Sequence, residues 1–555
     1  MSTSRSAARA AAPFAFAVLS CLVACGDDSG SSGGQIGDSC DPDKTMSCAP
    51  ELICALDADD KPRCAIPAGG ECDAKAKEPG CELNSLCVVV STDEEGKEMH
   101  ECRMQSGGSC DPERDDAQCD PSLRCAERQD GSYACYLPFQ IAGQVMDSAD
   151  LSAIEGAHVI GLDEQSIAVT DVAVSDADGG YVLELPVVRD AEGNPLDAAY
   201  TLRASALDYQ TFPGGLRTAL PIHTSDAEKR DEGWVVDGTL AEIILIALPN
   251  DGSTRYSISG HILGTELQAG VLVVAEQGGV GISGISDRGG AYTIFNVVDG
   301  GYEVSGYAAG LQLTPVSASV AGGDLMDVDL TASDRGLTRL EGTIQIVNAF
   351  GGAATSVVLV VESTFDMLFV RGEVPPGLRA PQSGPPSITG AFTIPDVPDG
   401  NYVVLAAFEN DRLVRDPDTN IAGTDFVTVS VPGAASGGVL TLSESFKVTE
   451  ALAVISPGAD LPDAVSSAPT LRFADDSSED WYEVQVFNAH GEMVWENLDV
   501  PSVSGAEEVS VSYGGPLEAG MYYQFRARSM RAPGGNNPAP ISTTEDLLGV
   551  FYVDQ

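Results

Sequence analysis

Two stretches one hundred residues apart share a pattern that few folds accommodate. They read GAYTIFNVVDGGYEV (Gly290–Val304) and GAFTIPDVPDGNYVV (Gly390–Val404), and a looser copy reads DADGGYVLELP (Asp176–Pro186). Apolar and polar residues alternate, an Asp-Gly pair interrupts the alternation, and the alternation then resumes. Such a pattern predicts a β-hairpin with one face buried. Its repetition at domain-sized spacing predicts an array of small β-sandwiches.

The composition fits turn-rich β domains. The chain has 555 residues, 60 Gly and 32 Pro, and 43% of its residues are apolar, so three to five domains can each bury a core. It carries 83 acidic and 30 basic residues, for a net charge of −53. That balance argues against binding to nucleic acid or to an anionic bilayer surface, because both need clustered Lys and Arg. The acidity keeps an exposed protein soluble and is compatible with a cationic partner.

The first residues have the features of an export signal. Arg5 and Arg9 precede the apolar run APFAFAVLSCLVA, which is too short to span a bilayer as a permanent helix. The run ends in Leu-Val-Ala-Cys-Gly at residues 22–26, which resembles the lipobox of bacterial lipoproteins. The resemblance implies cleavage before Cys25 and lipidation of its thiol, so that a lipid anchor holds the protein to a membrane. The alternative is an ordinary secretory signal in which Cys25 is incidental.

Twelve cysteines follow in three sets of four. The middle gap of each set is five residues, and seven residues separate one set from the next. Modules of about thirty residues bury too little apolar surface to fold unaided, so disulfides are expected. Zinc is the weaker alternative, since there is no Cys-x-x-Cys pair and His100 is the only histidine of the region. Four cysteines permit three pairings, and the spacing does not choose among them. The predicted disulfide cysteines are Cys40, Cys48, Cys54, Cys64, Cys72, Cys81, Cys87, Cys102, Cys110, Cys119, Cys125 and Cys135.

These sets, which open as GDSCD, GGECD and GGSCD, resemble the Dickkopf-type cysteine-rich repeats of extracellular proteins. The resemblance implies an oxidising compartment. It implies no signalling role.

Residues from 139 onward resemble the carboxypeptidase regulatory-like domain, a seven-stranded β-sandwich. The resemblance rests on Gly143-Gln144-Val145, on Ile154-x-Gly156-Ala157-x-Val159 and on the Gly180-Tyr181 pair. A second copy opens at Tyr256 and a third at Leu340. The third contains the insertion VPPGLRAPQSGPPS, which we expect to be a loop because proline cannot donate to a sheet ladder.

The last hundred residues resemble a fibronectin type III domain. PTLRF (Pro469–Phe473), YEVQVFNAHGEMVWEN (Tyr482–Asn497) and LEAGMYYQFRARS (Leu517–Ser529) match its strands B, C–C′ and F. Leu517, Gly520 and Tyr523 match the tyrosine corner of that family. Strand B departs from the family in having Phe473 where a Trp is usual.

The sequence offers no convincing catalytic motif. Zinc carboxypeptidases need a His-x-x-Glu pair, and none of the five histidines has Glu three positions later. His158 and His261 lie on strand-like segments, where solvent-facing positions are expected. GVGISG (Gly279–Gly284) matches the dinucleotide fingerprint, but a turn and a strand follow it in place of the required helix.

Two weak binding motifs remain. Asp416, Asp418 and Asn420 alternate as in the opening of a calcium loop, and Asp425 could complete an irregular site; the alternative is a solvated turn. Calcium is therefore the one cofactor considered. Trp481, beside Asp480 at the start of a strand, is the candidate platform for stacking a sugar, although packing is the commoner role of a tryptophan.

These observations predict a mainly β protein, with tandem β-sandwich domains preceded by small disulfide-rich modules. We expect a non-enzymatic outer-membrane lipoprotein, periplasmic or surface-exposed, whose independently folded sandwiches act as a scaffold for an unknown protein or glycan partner. The alternative function is carbohydrate binding through a starch-binding-like sandwich. The predicted segments are a signal peptide (1–24), a flexible tether (25–39), three four-cysteine modules (40–136), three regulatory-like sandwiches (139–249, 256–331 and 339–443) and a fibronectin-like sandwich (449–555).

Overall fold

The structure is a computed structural model, and it describes residues 34–553 apart from short segments. The segments left out are 45–46, 77–79, 94–95, 113, 115–117, 165–166, 215–218, 348, 350, 367–370, 408–410, 416–425, 432–437, 444, 477, 490–491, 504–506, 533–537 and 546. The described residues form β-strands, turns and two short 3₁₀ helices, and no α-helix occurs among them. None of their helices is long and apolar enough to cross a membrane. The predicted fold class is confirmed.

The chain separates into two units, which end and begin at Met104 and Gln105. The first unit holds four-cysteine modules 1 and 2, each built on one antiparallel hairpin. Its strands are β1 (Ile53–Leu56), β2 (Pro62–Ala65), β3 (Ser85–Thr92) and β4 (Glu98–Met104).

The second unit begins with module 3 and continues into the first sandwich. Strand β7 pairs antiparallel with β10 and parallel with β14 and β15, while β8 and β11 form the centre of the facing sheet. The strands are β5 (Arg124–Glu127) and β6 (Tyr133–Tyr136) in module 3, then β7 (Phe139–Asp147), β8 (His158–Leu162), β9 (Ala173–Val174), β10 (Gly180–Leu185), β11 (Ala199–Ser205), β12 (Ile222–His223), β13 (Glu228–Lys229), β14 (Trp234–Val236) and β15 (Ile243–Leu245), with a 3₁₀ turn at Thr224–Asp226.

The second and third sandwiches share one plan. In the second, β16 lies between β19 and β23, and β17 pairs with β18 and β20 in the facing sheet. In the third, β24 pairs with β27, β31 and β32, and β25 pairs with β26 and β28. The strands are β16 (Tyr256–Leu263), β17 (Leu272–Gln277), β18 (Val280–Ile285), β19 (Ala291–Val297), β20 (Gly300–Ala308), β21 (Leu311–Gln312), β22 (Val316–Val320), β23 (Leu330–Thr331), β24 (Thr338–Val347), β25 (Val357–Val361), β26 (Arg379–Ala380), β27 (Ala391–Val397), β28 (Gly400–Ala406), β29 (Leu413–Arg415), β30 (Val427–Val431), β31 (Val439–Thr441) and β32 (Phe446–Glu450), with a 3₁₀ turn at Glu362–Thr364.

The fourth sandwich packs a three-stranded sheet on a larger one. Its sheets have the orders β33-β35-β38 and β34-β41-β39-β36-β37, with β40 also paired to β39. The hydroxyl of Tyr523 accepts a hydrogen bond from the Glu518 N–H at 2.8 Å, which is the backbone contact of a tyrosine corner. The strands are β33 (Val454–Ser456), β34 (Asp463–Val465), β35 (Thr470–Ala474), β36 (Trp481–Asn488), β37 (Met493–Pro501), β38 (Glu508–Ser512), β39 (Tyr522–Arg531), β40 (Ala539–Thr543) and β41 (Val550–Val553).

The repeated stretch is not a hairpin, so that prediction was wrong. β19 pairs with β16 in one sheet, whereas β20 pairs with β17 in the facing sheet, and β27 and β28 are divided in the same way. The Asp-Gly corner therefore carries the chain across the core from one sheet to the other. The hydroxyls of Tyr302 and Tyr402 donate to the carbonyls of Val298 and Pro398, both at 3.0 Å, and so hold each corner closed.

A glycine in the opening strand of each of the first three sandwiches faces an aromatic ring. Gly143 pairs with Tyr181, Gly260 with Tyr292 and Gly342 with Phe392. A Cβ atom on Gly342 would lie 2.5 Å from the Phe392 ring. The bare backbone therefore makes room for the ring, as in the pairing of aromatic residues with strand glycines elsewhere.

Two hydrophobic clusters are shared between sandwiches. One hydrophobic cluster contains buried residues of both the first sandwich and the fourth, among them Ile141 and Phe525. A second cluster joins the core of the third sandwich to Leu272, Val274 and Tyr307 of the second. Neighbouring sandwiches within residues 105–553 therefore bury apolar surface on one another, which a string of separate domains does not require.

Two details of the third sandwich also differ from the expectation. Strand β32, at 446–450, pairs with β24, so this sandwich extends past the predicted end at residue 443. Within the proline-rich insertion, Arg379 and Ala380 pair with β25. Both residues have a backbone N–H, whereas Pro381, which follows them, has none, and the ladder ends before it.

Candidate functional site

All twelve cysteines of the three modules form disulfides, and every module has the same pairing. The first cysteine bonds to the third and the second to the fourth, which the spacing had left open. The third and fourth cysteines face each other on the hairpin, so the two disulfides fasten the preceding segment to both of its strands. The six bonds are Cys40–Cys54, Cys48–Cys64, Cys72–Cys87, Cys81–Cys102, Cys110–Cys125 and Cys119–Cys135.

Module 3 is fixed to the first sandwich. Arg124 makes a bidentate contact with Glu184, with Nε and Nη2 at 2.7 and 2.8 Å from the carboxylate oxygens. The N–H of Arg189 donates to the carbonyl of Glu127 at 2.8 Å. The Arg189 side chain is almost fully buried and donates to the Leu137 carbonyl at 3.0 Å, and burial lowers its pKa to about 10. The link therefore combines an exposed ion pair with buried main-chain contacts.

The first and second sandwiches meet at a strained residue of β19. Asn296 has a φ of 67°, in the left-handed region, at a β-bulge where the register with β16 shifts. Its side-chain amide donates to the carbonyls of Ala206 and Tyr209 at 3.0 and 2.9 Å, and its oxygen accepts from the Asp208 N–H at 2.6 Å. Asn296 thus satisfies three main-chain groups in a turn of the preceding sandwich. Such strain persists where surrounding contacts hold it.

Equivalent elements join the second sandwich to the third. Asp396, with a φ of 55°, occupies the same place in β27, and its carbonyl accepts from the Gly310 N–H at 2.9 Å. Gly310 lies in the turn after β20, as Asp208 lies in the turn after β11. The rings of Tyr307 and Tyr402 meet edge to face, with their centroids 6.0 Å apart. The same turn-to-bulge contact is therefore used at two successive junctions.

Three polar residues, one from each of the first three sandwiches, form a hydrogen-bonded cluster. Arg203 of β11 donates from Nη1 to Glu373 at 2.5 Å and from Nη2 to the Ser283 hydroxyl at 2.9 Å. The Ser283 hydroxyl in turn donates to the second carboxylate oxygen of Glu373 at 2.8 Å. Burial opposes ionisation of Glu373, but the Arg203 charge and the two hydrogen bonds outweigh it, so the pKa of Glu373 is lowered. We call these three residues the Arg203 node.

Nothing in the sequence pointed to the Arg203 node. Arg203, Ser283 and Glu373 lie 80 to 170 positions apart, and each is an ordinary polar residue in its own segment. His158 was likewise expected to face solvent, yet its ring meets Phe295 of the second sandwich at a centroid distance of 4.9 Å. Burial lowers the pKa of His158. Contacts between sandwiches explain both departures.

The third and fourth sandwiches are joined through main-chain and buried polar contacts. The N–H of Leu452 donates to the Thr543 carbonyl at 2.9 Å, and the Ser542 hydroxyl donates to the Glu450 carbonyl at 2.8 Å. The first and fourth sandwiches also touch, because the Thr239 hydroxyl donates to a main-chain carbonyl of the fourth sandwich.

The predicted lipid and calcium sites fall in segments that the structure does not describe. Cys25 lies outside the described residues, as do Asp416, Asp418, Asn420 and Asp425. They stay predictions. Among the described residues, the groups of sulfur and carboxylate atoms close enough to hold a metal consist of disulfide-bonded cysteines alone.

Trp481 begins β36 and is half-buried, with Pro501 and Met530 as its cross-strand neighbours. No aromatic side chain is exposed in the part of the chain that the structure describes. Trp495 packs edge to face on Tyr513 at a centroid distance of 5.6 Å. Sugar stacking at Trp481 stays a prediction.

The dinucleotide motif lies in a β-hairpin, with Gly279 in the turn and residues 280–284 in β18, so a strand stands where the motif requires a helix. Gly278 and Gly279 have φ values of 63° and 84°, and they connect β17 directly to β18. Two residues with positive φ make the tight turn that suits two twisted strands. No helix N-terminus is present there to receive a pyrophosphate.

A shallow groove of about 700 Å³ lies on the first sandwich. Val174 and Val182 contribute exposed apolar surface, and Asp176, Asp237 and Glu242 line it with carboxylates. Asp237 pairs with Arg230 at 2.8 Å, and Asp176 accepts from main-chain N–H groups of its own turn. These acids are thus engaged in local contacts, and the groove holds no histidine.

No protein-family model matches this chain, and no curated protein matches it. Among solved structures it is similar to the Bacillus anthracis TIE protein, at 12% identity over 86% of this chain and 75% of the other, with a TM-score of 0.13. It is also similar to BcpA, the major pilin subunit of Bacillus cereus, at 11% identity over 57% of this chain and 100% of that one, with a TM-score of 0.15. The shaft pilin SpaA from Lactobacillus rhamnosus GG has 10% identity over 35% of this chain and 98% of its own, again with a TM-score of 0.15. Identities and TM-scores this low support no statement about function.

Proposed function

We propose that this chain is a non-enzymatic scaffold of the cell envelope, in which four interlocked sandwiches present loops and sheet edges to a protein or glycan partner. The observation that carries the proposal is the Arg203 node, together with the hydrophobic clusters shared between sandwiches. Contacts of this kind resist relative motion of the domains. An enzyme would need convergent acids, bases or metal ligands in a cleft, whereas among the described residues Asp176 and Asp237 of the groove on the first sandwich are engaged in local contacts.

The disulfides support a location outside the cytoplasm. Six bonds in about one hundred residues form and persist where the environment is oxidising. We propose that Cys25 carries a lipid and that the disulfide modules lie near the membrane. Replacing Cys25 by Ser should abolish fatty-acid labelling, and unchanged labelling would refute the anchor. Protease treatment of intact cells then distinguishes a surface-exposed protein from a periplasmic one.

The scaffold itself can be tested by cutting one linker. Arg335, which is exposed, lies between β23 and β24 and so links the second sandwich to the third. A specific protease site inserted after Arg335 lets the chain be cut there without touching a strand. Because Leu272, Val274 and Tyr307 are buried against the third sandwich, we expect the two pieces to elute together on size exclusion under native conditions.

The control is the same cut in a Leu272→Ser, Val274→Ser variant. Both side chains are buried at this junction, so their replacement should weaken the association of the two pieces, which the Arg203 node and the cluster shared by the first and fourth sandwiches still hold. If the pieces of the unsubstituted protein also separate after cutting, the sandwiches are independent and the interlocked scaffold is wrong. This outcome does not depend on the lipid anchor or on the identity of the partner.

A further inference from the structure

The junction between the third and fourth sandwiches contains two buried carboxyl groups. Asp411 precedes β29 of the third sandwich, and Glu545 follows β40 of the fourth. Their exposed fractions are 8% and 4%, and their side chains hydrogen-bond to each other across the junction. A hydrogen bond between two carboxyl groups requires a proton on one of them, because two carboxylates are both acceptors. Two ionised carboxylates within hydrogen-bonding reach of each other would repel.

The remaining contacts of Asp411 are uncharged. The Thr355 hydroxyl donates to one carboxyl oxygen, which also accepts from the Ser356 N–H at 3.3 Å. The other oxygen accepts from the Leu413 N–H at 3.0 Å. These donors favour a carboxylate, but burial outweighs them and raises the pKa of Asp411 to about 6. Thr355 and Ser356 are fully buried themselves.

Other charged groups lie on the elements that meet here. Arg379 of β26 donates from Nη2 to the Ser356 hydroxyl at 3.2 Å, so it reaches the cluster through a neutral residue. Lys447 lies on β32, which pairs with β29, and Arg412 next to Asp411 is exposed. The hydrogen bonds of Asp411 are therefore with two main-chain donors, a hydroxyl and a second acid, and it is the burial of the two acids that favours the state in which the pair holds a proton.

We propose that the Asp411–Glu545 pair is a proton-dependent latch, closed when the pair holds a proton and weakened when both acids are ionised. It rests on the proposed scaffold, because it sets how firmly the fourth sandwich is held to the third. In the cell envelope the latch would respond to the pH outside the cell. The sandwiches themselves need not unfold, since the latch lies only at their junction.

The sign of the effect follows from which state holds the proton. Asp411 has an ordinary carboxyl pKa when the junction is open and a raised one when it is closed, so closure takes up a proton between about pH 4 and pH 6. Closure is favoured at low pH, and the benefit is lost as the pH rises through about 6. A rise in the pKa of Asp411 from 3.8 to about 6 makes the equilibrium constant for opening the junction about tenfold smaller at pH 5 than at pH 7.5.

Hydrogen exchange measured by mass spectrometry on the full mature chain tests the latch. Peptides covering β29 and β40 should lose about tenfold in protection between pH 5 and pH 7.5, after correction for the intrinsic exchange rate. Peptides covering β19 and β20 of the second sandwich serve as the internal control and should not change. In Asp411→Asn the amide imitates the protonated acid, so the pH dependence at the junction should disappear.

Several results would overturn the proposal. One is an equal pH dependence in the wild type and in Asp411→Asn, and another is a loss of protection spread over all four sandwiches. If Asp411→Asn fails to fold, Glu545→Gln gives the same test, because the introduced amide donates to an ionised Asp411 and should keep the junction protected at pH 7.5. The hydrogen-exchange measurement at pH 7.5 is repeated with calcium chloride and with a chelator. Protection restored by calcium would make the pair a cation site and refute the proton latch.

Discussion

Removing Arg203 tests the Arg203 node directly. The Arg203→Met variant keeps the length of the side chain but leaves the Glu373 carboxylate, whose side chain is 25% exposed, without its cation. Breaking a buried ion pair by removing one partner costs about 3–5 kcal/mol, because the other charge stays desolvated. The Ser283 hydroxyl still donates to Glu373 at 2.8 Å and offsets a part of this cost, so we expect about 3 kcal/mol.

Urea denaturation followed by tryptophan fluorescence measures this cost. Trp234 belongs to the first sandwich, and replacing Trp481 and Trp495 by Phe makes it the sole reporter. With an m-value of about 2 kcal/mol/M, a loss of 3 kcal/mol lowers the midpoint of the Trp234 transition by about 1.5 M. The control is Arg472→Met, which removes an exposed ion pair with Glu508 and should change the free energy of unfolding by less than about 1 kcal/mol.

The pH dependence sharpens this prediction. In the native protein the pKa of Glu373 is lowered, so its contribution to stability is present above the ordinary carboxyl pKa of 4.5 and is lost as the pH falls below that value. In Arg203→Met, burial without the guanidinium should raise the pKa of Glu373, and the variant should regain stability on acidification. Adding Glu373→Gln should restore much of the loss at pH 7. A midpoint shift equal to that of Arg472→Met, or no recovery in the double variant, would refute the reasoning.

Three further outcomes follow from the contacts above. Tyr402→Phe removes the hydroxyl that donates to the carbonyl four residues earlier, and it should lower the free energy of unfolding by about 1 kcal/mol in a denaturant titration. Gly342→Ala places a methyl group against the opposing ring and should lower the free energy of unfolding by about 1–3 kcal/mol. The control Gly301→Ala has open space around its Cβ and should lower it by less than about 1 kcal/mol. Equal losses of melting temperature in the two variants would contradict this. Replacing the Cys48–Cys64 pair by alanines should cost module 1 about 2–4 kcal/mol and should add no free thiol on a thiol count.

The strands and the cysteine framework could be predicted from the sequence, but their partners could not. Alternation of apolar residues around Tyr292 and Phe392 predicted strands that the structure has. The same alternation cannot distinguish a hairpin from a corner that crosses between sheets, since both turn inward-facing residues toward a single core. The cysteine pairing could not be predicted for a related reason. The first two cysteines of each module precede the hairpin, and the alternation does not tell which of them lies beside which hairpin strand.

Contacts between sandwiches were harder to predict, yet one signal was present. β25 reads Val-Val-Leu-Val-Val, and all five residues are buried. Residues 272–275 of β17 read Leu-Val-Val-Ala, and all four are buried as well. A strand with a solvated face should alternate, so a continuous apolar run indicates cover on both faces. The polar residues of the Arg203 node carried no comparable signal, because their pairing requires three surfaces to meet.

The apolar runs also decide between a string of domains and an interlocked scaffold. In β17, Val273 and Ala275 belong to the core of the second sandwich, while Leu272 and Val274 belong to the cluster centred on the third. Burying the second pair stabilises the junction by about 3–6 kcal/mol, at about 1.5–3 kcal/mol for each side chain. The Asp396–Gly310 contact then fixes the orientation, because it requires one turn to meet one bulge. A nonspecific apolar contact would permit sliding, whereas apolar burial combined with directional hydrogen bonds selects one arrangement and gives the scaffold its stiffness.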